Sequence, residues 1–133
     1  MIRAWGIGFM ILFIVDMMVV AATLMNFHPP ALMLLLRISP FIASFVTAYL
    51  LPRKKFILGM SLAIPTAILS LVVTIVYQLL GRAVDFAGFE GGLILFAVSL
   101  AYGFILCSVG GVAGYFLAGI ITTVRKNKGN KKV

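Results

Sequence analysis

Long apolar stretches, separated by short polar or proline-containing breaks, dominate the pattern along the chain. A bilayer core of about 30 Å thickness needs roughly 20 helical residues to cross it. Four stretches meet that requirement, and they predict transmembrane helices at about 5–25, 31–51, 56–80 and 93–124. We therefore predict an all-α integral membrane protein with four transmembrane helices.

The breaks between these stretches are short, which predicts two antiparallel hairpins. Pro29 and Pro30 end the first helix, because proline lacks an amide hydrogen and disfavours helical angles in the residue before it. The second break, 52–55, is only four residues long, so helices two and three must be neighbours. The third break, 81–92, opens with Gly81, a residue suited to the end of a helix.

Basic residues flank the predicted helices at three places. They are Arg3 before helix one, Arg53, Lys54 and Lys55 between helices two and three, and Arg125, Lys126, Lys128, Lys131 and Lys132 after helix four. Lysine and arginine are retained on the cytoplasmic side of a membrane. Four crossings put all three flanks on one side, so we predict a plasma (inner) membrane protein with both termini in the cytoplasm. Residues 1–124 form its transmembrane domain, and the basic tail, 125–133, is predicted to be disordered.

The composition excludes a water-soluble fold, since 63% of the residues are hydrophobic, 11% are charged and the mean hydropathy is +1.20. The net charge is +8, but the basic residues lie beside the membrane spans. Anionic lipid head groups are therefore the expected partners, and nucleic acid is not. The single cysteine, Cys107, allows no disulfide within the chain, and no metal-binding cluster or cofactor motif is present in the sequence.

Asp16 is the residue that most limits the possible mechanisms. It lies about eleven residues into helix one, near the bilayer midplane, where an ionised carboxylate costs at least a few kcal/mol unless it is paired or hydrated. Arg37 in helix two is the only cation in the predicted spans, about 6 Å nearer the surface. In one interpretation Asp16 binds a proton or a cation and Arg37 modulates its charge. In the other, the two form a buried pair, or Arg37 extends outward and Asp16 is protonated.

Hydroxyl side chains form stripes on helices two and three, and both stripes are predicted to face inward. Ser44 and Thr47 share roughly one face with Arg37. In helix three, four polar residues recur at every fourth position: Thr66, Ser70, Thr74 and Gln78. One interpretation is a hydrated path, and the other is hydroxyl groups that only bond helices together. The candidates for binding or ion coupling are Asp16, Arg37, Ser44, Thr66 and Ser70.

Pro65 predicts a kink in helix three. It removes the hydrogen bond to the carbonyl of Ser61, so the helix is expected to bend near Thr66. The freed carbonyl either faces a cavity or is satisfied by a neighbouring hydroxyl group.

Small residues on helix four predict a close contact with another helix. They form two adjacent ridges, with Gly110, Gly114 and Ala118 on one and Gly103, Cys107 and Gly111 on the other. Small residues four positions apart let a second backbone approach closely. The sequence leaves open whether that contact is internal or between subunits. Counted from the cytoplasmic ends, Asp16, Thr66 and Gly110 or Gly111 are predicted to lie at similar depth.

Three classes of function fit this pattern. The first is a transporter or channel subunit for a small solute or ion, working as a homo-oligomer because four helices are few for a solute path. The second is a non-catalytic accessory or scaffold subunit of a larger membrane complex that binds through helix four. The third is a holin-like pore former. We do not expect an enzyme, because apart from Asp16 the spans hold no histidine, glutamate or lysine, and Cys107 has no identifiable base.

Overall fold

Helices make up nearly all of the computed structural model, which describes residues 2–25, 30–51, 56–79 and 89–129. The helices are α1 (Ile2–Leu24), α2 (Pro30–Leu50), α3 (Phe56–Met60), α4 (Ala63–Leu79) and α5 (Phe89–Gly129). The prediction of an all-α chain is confirmed for these residues. Most of the first predicted break, all of the second and most of the third lie outside them.

Four helical stretches are long and apolar enough to cross a membrane. They are Ile2–Leu24, Pro30–Leu50, Ile57–Val76 and Leu93–Lys126, and the third of them combines α3 with most of α4. Large apolar side chains such as Phe104 and Phe116 are more than half exposed on the bundle surface. Each Å² of such surface costs about 25 cal/mol in water, so hydrocarbon is the compatible solvent. These features fit a multi-pass membrane protein and confirm the predicted number of spans.

The third span bends at Ser61 and Leu62, where α3 ends and α4 has not yet begun. Pro65 has no amide hydrogen to give to the carbonyl of Ser61. That carbonyl accepts a hydrogen bond from the amide of Ile64 instead, at 3.3 Å. The bend therefore lies one turn earlier than predicted, because a proline disrupts the turn on its amino-terminal side.

Trp5 joins α1 to this bend. Its indole Nε1 donates to the hydroxyl oxygen of Ser61 at 3.0 Å, and that hydroxyl donates in turn to the carbonyl of Leu58 at 2.8 Å. The indole ring also stacks on Phe9, with 5.7 Å between the ring centroids. Trp5 therefore packs inside the bundle and fixes the position of the bend relative to α1.

α5 is longer than the sequence pattern predicts. Its 41 residues span about 60 Å at roughly 1.5 Å per residue, twice the thickness of the hydrocarbon core. The helix begins four residues before the predicted start and continues through 125–129, which were predicted to be disordered. Arginine and lysine are good helix formers and stabilise the carboxyl end of a helix dipole. Extending an existing helix is also easier than starting one, so this basic segment is helical.

The most extensive contact in the described part of the bundle is between α2 and α5. The hydroxyl group of Tyr102 donates to the carbonyl of Arg37 at 3.0 Å, and the thiol of Cys107 donates to the carbonyl of Pro40 at 3.4 Å. Residue numbers thus rise together along the two helices, so α2 and α5 run in the same sense. Their contact forms the centre of the structure.

Candidate functional site

A cavity of about 280 Å³ lies among α1, α2, α4 and α5. This volume corresponds to roughly nine water molecules at about 30 Å³ each. Its polar lining comes from all four helices and consists of Asp16, Arg37, Ser39, Thr66, Ser70, Thr74, Ser99 and Tyr102. Its apolar lining consists of Leu12, Val19, Leu36, Pro40, Val73 and Leu95. We call this space the polar cavity.

The hydroxyl stripe of α4 lines the polar cavity over two turns. Thr66, Ser70 and Thr74 all contribute to the lining. The hydroxyl groups of Thr66 and Thr74 donate to carbonyls of their own helix at 2.8 and 2.9 Å, whereas that of Ser70 lies 2.8 Å from the hydroxyl of Ser99 on α5. The side chain of Gln78, the fourth predicted member, lies outside the described residues. The predicted inward-facing stripe thus includes residues that border a cavity.

Asp16 and Arg37 line the same cavity without touching each other. Asp16 is half-buried, and Arg37 is exposed. Within the described residues neither side chain takes part in a hydrogen bond or an ion pair. The predicted buried ion pair between Asp16 and Arg37 is therefore absent from the part of the chain that the structure describes. The two side chains border the cavity from separate helices.

The polar cavity reaches the surface of the bundle at Arg37 and Tyr102, which we call its mouth. Arg37 and Tyr102 both line the cavity and are both exposed on the bundle surface. The hydroxyl of Tyr102 holds the backbone of α2 at Arg37. One side of the cavity is therefore open, and the guanidinium of Arg37 belongs to its rim.

Ser44 lies outside the polar cavity, which corrects its prediction as a binding candidate. Its side chain is fully buried, and its hydroxyl donates to the carbonyl of Cys107 at 2.6 Å. Thr47, one turn further along, is also fully buried and donates to the carbonyl of Ala4 at 3.3 Å. These two hydroxyl groups bond one helix to another, which is the structural interpretation of the α2 stripe.

Beside Ser44 and Thr47, glycines bring the helices into backbone contact. We call Gly8, Gly59, Gly110, Gly111 and Gly114 the glycine seam. A Cβ atom added at Gly8 would collide with the Thr47 hydroxyl, and one added at Gly59 would lie 2.6 Å from the Ser44 hydroxyl. Cβ atoms added at Gly110 and Gly114 would collide with the backbone carbonyls of Phe41 and Phe45. At Gly110 and Gly114 the obstacle is backbone, so no larger residue fits there without movement of a helix.

The two predicted ridges of α5 contact three other helices of the same chain. Gly110 and Gly114 face α2, whereas Gly111 faces Gly59 of α3 and Gly103 faces Thr66 of α4. These glycines are therefore occupied by internal contacts. Ala118 lies beyond them, half-buried at the edge of a groove shared with Tyr49.

The predicted depth of the glycines was wrong. Thr66, which lines the polar cavity, lies next to Gly103, about two helical turns from Gly110 and Gly111. The error came from counting depth from the carboxyl end of α5, because α5 extends well beyond the start of α3: Gly59, near that start, faces Gly111.

No protein family model, curated protein or solved structure matches this chain. The functional argument accordingly rests on the chemistry and geometry of the polar cavity.

Sequence reasoning missed part of the lining on α2. Pro40 lies inside that helix and cannot donate to the carbonyl of Leu36. The hydroxyl of Ser39 donates to that carbonyl at 2.9 Å, which brings Ser39 into the site. The rule applied to Pro65, that a proline frees the carbonyl four residues before it, also identifies this position.

Ser99 and Tyr102 of α5 were missed as well. A serine and a tyrosine three residues apart lie on one helix face, and Gly103 extends that face toward α4. This spacing was the available signal, although it does not show which neighbouring helix the face meets.

Proposed function

We propose that this protein is a transport subunit that moves a small solute or ion across the membrane through the polar cavity. The observation that supports it is a carboxylate, Asp16, on the wall of a polar cavity within a bundle of membrane-compatible helices. Intramembrane ionisable residues are costly, and those that face a cavity characteristically serve substrate or ion pathways. Asp16 is the proposed coupling group, and the hydroxyl residues around it complete the site.

The contrast between the two parts of the bundle also supports transport. The polar cavity reaches the bundle surface at Arg37 and Tyr102, whereas the helix backbones are in close contact at the glycine seam. A transporter needs a site that is open on one side and closed on the other, and alternates between the two. In this proposal the polar cavity supplies the open region and the glycine seam the closed one.

The subunit is proposed to work as an oligomer, since four helices enclose only a small cavity. Its interface is not expected at the glycine seam, where internal contacts already occupy the glycines. The scaffold hypothesis relied on that same surface, so its sequence support is weaker. Transport is preferred over the scaffold alternative, because the polar cavity supplies a place for a solute whereas the glycines of α5 are already in contact inside the chain.

The proposed orientation places both termini in the cytoplasm of a cell with the chain in its inner membrane. The contact between Thr47 and Ala4 brings the end of α2 beside the start of α1. The exposed side chains of Arg3, Arg125 and Lys126 flank the first and last spans, and such residues are retained in the cytoplasm. This orientation is tested by labelling the thiol of Ser99→Cys, in a Cys107→Ala background, with a membrane-impermeant reagent applied from one side of the membrane at a time.

The Asp16→Asn variant tests the transport proposal. The purified full-length chain is reconstituted into lipid vesicles, and uptake is measured for radiolabelled sodium, methylammonium, a mixture of amino acids and a mixture of short organic acids. We expect uptake of at least one of these above empty vesicles, with a dependence on pH. Asp16→Asn should lower it by roughly tenfold or more, because the removed charge acts within a low-dielectric interior.

Ser108→Ala is the matched control. The hydroxyl of Ser108 bonds only to the carbonyl of Phe104 in its own helix, and Ser108 does not line the polar cavity. Its uptake should equal that of the unmodified chain. Equal uptake by Asp16→Asn would remove Asp16 from the mechanism, and no uptake of any of the four probes would reject the transport proposal.

A further inference from the structure

Most hydroxyl groups of the polar cavity have already used their hydrogens. Four of them, on Ser39, Thr66, Thr74 and Tyr102, each donate to a backbone carbonyl at 2.8 to 3.0 Å. A hydroxyl group has one hydrogen and two lone pairs, so these four retain only acceptor capacity. The neutral part of the lining is therefore suited to a ligand that donates hydrogen bonds.

The charged part of the lining contains one group of each sign. Asp16 on α1 is an acceptor, and Arg37 on α2 is a donor whose planar guanidinium suits a carboxylate. Within the described residues they do not pair with each other. A ligand that carries both signs compensates both groups at once.

The size and apolar wall of the cavity limit the ligand further. About 280 Å³ greatly exceeds the volume of a single dehydrated metal ion, and roughly nine water-sized volumes correspond to a molecule of about ten heavy atoms or fewer. Leu12, Val19, Val73 and Leu95 supply hydrocarbon surface on several sides. Such a wall favours a ligand with a short aliphatic body.

We propose that the polar cavity binds a small zwitterion of the aliphatic α-amino acid class. The ligand's ammonium group lies toward Asp16 and the hydroxyl oxygens, its carboxylate toward Arg37 at the mouth, and its side chain against the apolar wall. A simple cation leaves Arg37 uncompensated, and a simple anion faces Asp16 and the acceptor hydroxyls. This proposal rests on the proposed transport role, because it names the solute of the same cavity.

Three matched probes test the charge requirement on the unmodified protein. Titration calorimetry on the full-length chain in lipid nanodiscs compares L-valine with isobutylamine, which lacks the carboxylate, and with isovalerate, which lacks the ammonium group. We expect valine to bind at least roughly tenfold more tightly than either fragment, the loss typical of one charge-assisted hydrogen bond. Tighter binding of isobutylamine, or of sodium alone, would replace the zwitterion with a cation.

Two variants assign the charges. Arg37→Gln should reduce the affinity for valine to that for isobutylamine and leave isobutylamine binding unchanged. Asp16→Asn should reduce the affinity for valine to that for isovalerate. Ser108→Ala is the control, and the thermal unfolding of each variant shows whether it is folded. Valine binding that is unchanged in folded Arg37→Gln would overturn the proposal.

The binding and uptake measurements fail separately. Uptake of sodium, methylammonium or an organic acid that depends on Asp16, without valine binding, would reject the zwitterion and leave the transport proposal standing. Charge-dependent valine binding without uptake would leave the site standing and reject transport. Absence of both would reject both.

Discussion

The glycine seam and the polar cavity use similar hydroxyl residues on the same bundle, yet one is closed and the other is open. Beside the seam, Ser44 and Thr47 are fully buried and donate to carbonyls of other helices. In the cavity, Thr66 and Thr74 donate to carbonyls of their own helix. Both hydroxyl groups beside the seam therefore join two helices, whereas only some of those in the cavity do so, namely those of Ser70, Ser99 and Tyr102.

Glycine accounts for the close approach of the helices at the seam. At Gly8, Gly110 and Gly114 the facing helix comes so close that a single added carbon would collide with it. Around the cavity, by contrast, leucine and valine side chains face one another and leave space between the helices. The difference shows that residue volume, rather than polarity, decides which part of this bundle is sealed.

Among the substitutions that test this comparison, Gly114→Ala should lower stability the most, because it forces α5 away from α2 at the glycine seam. The added Cβ meets the backbone of Phe45, which cannot rotate away, and also lies 3.2 Å from the Cβ of Ala48. Overpacking of this kind costs about 1–3 kcal/mol. We expect a lower midpoint of thermal unfolding, measured in detergent on the purified chain.

Gly119→Ala is the control for that prediction, because nothing lies within 4 Å of its added Cβ. Gly103→Ala is intermediate, with Thr66 Cγ2 at 3.4 Å. Unfolding midpoints should therefore rank Gly114→Ala below Gly103→Ala, and Gly103→Ala below Gly119→Ala. If Gly114→Ala unfolds at the same temperature as Gly119→Ala, the seam is not a close backbone contact.

Thiol labelling compares solvent access to the two regions. Cys107, which is fully buried against α2, serves as the seam probe in the unmodified chain. Ser99→Cys in a Cys107→Ala background places a thiol on the cavity wall. A charged methanethiosulfonate reagent should modify the cavity thiol roughly tenfold faster or more, because access and ionisation control thiol reactivity.

The same measurement on sealed cells and on inverted vesicles reports orientation. With both termini in the cytoplasm, Ser99 lies toward the external end of α5, so labelling should be faster from outside. Faster labelling from the cytoplasmic side would contradict the proposed orientation. Equal rates for Cys107 and Ser99→Cys would show that the cavity is no more accessible than the seam.

Ser44→Ala should lower the midpoint of thermal unfolding less than Gly114→Ala does. It removes one hydrogen bond between helices, at 2.6 Å from hydroxyl to carbonyl, and such bonds in membrane proteins average about 0.6 kcal/mol. Ser108→Ala, which removes a bond within one helix, is expected to leave the unfolding midpoint unchanged. A loss as large as that of Gly114→Ala would mean that the Ser44 hydroxyl itself holds the seam closed.

The sequence predicted the elements better than their mutual contacts. Apolar length alone determined the four spans, because hydrocarbon thickness fixes how long a crossing helix must be. The α4 stripe was also found, since Thr66, Ser70 and Thr74 follow the helical repeat. The position of the bend depends on Pro65 together with the alternative hydrogen bond from the amide of Ile64 to the carbonyl of Ser61, and the sequence pattern does not predict that bond.

The site was harder to predict because it depends on the register between helices. Ser44 and Thr66 look alike in sequence, yet only Thr66 borders the cavity. Ser99 and Tyr102 belong to the site because of the register in which α5 packs against α2 and α4, and the sequence does not give that register. A helix that extends beyond the end of its neighbour makes depths counted from the two ends unequal, and no pattern within the helix corrects for it.

The indole of Trp5 gives the protein a fluorescent reporter of its own. It is the only tryptophan in the chain, and it is bonded to the hydroxyl at the bend of the third span. Its emission wavelength depends on that bond and on nearby water, so a displacement of the bend on addition of a ligand would change the emitted colour without any dye. Stopped-flow fluorimetry on unlabelled protein can thus test whether this segment moves.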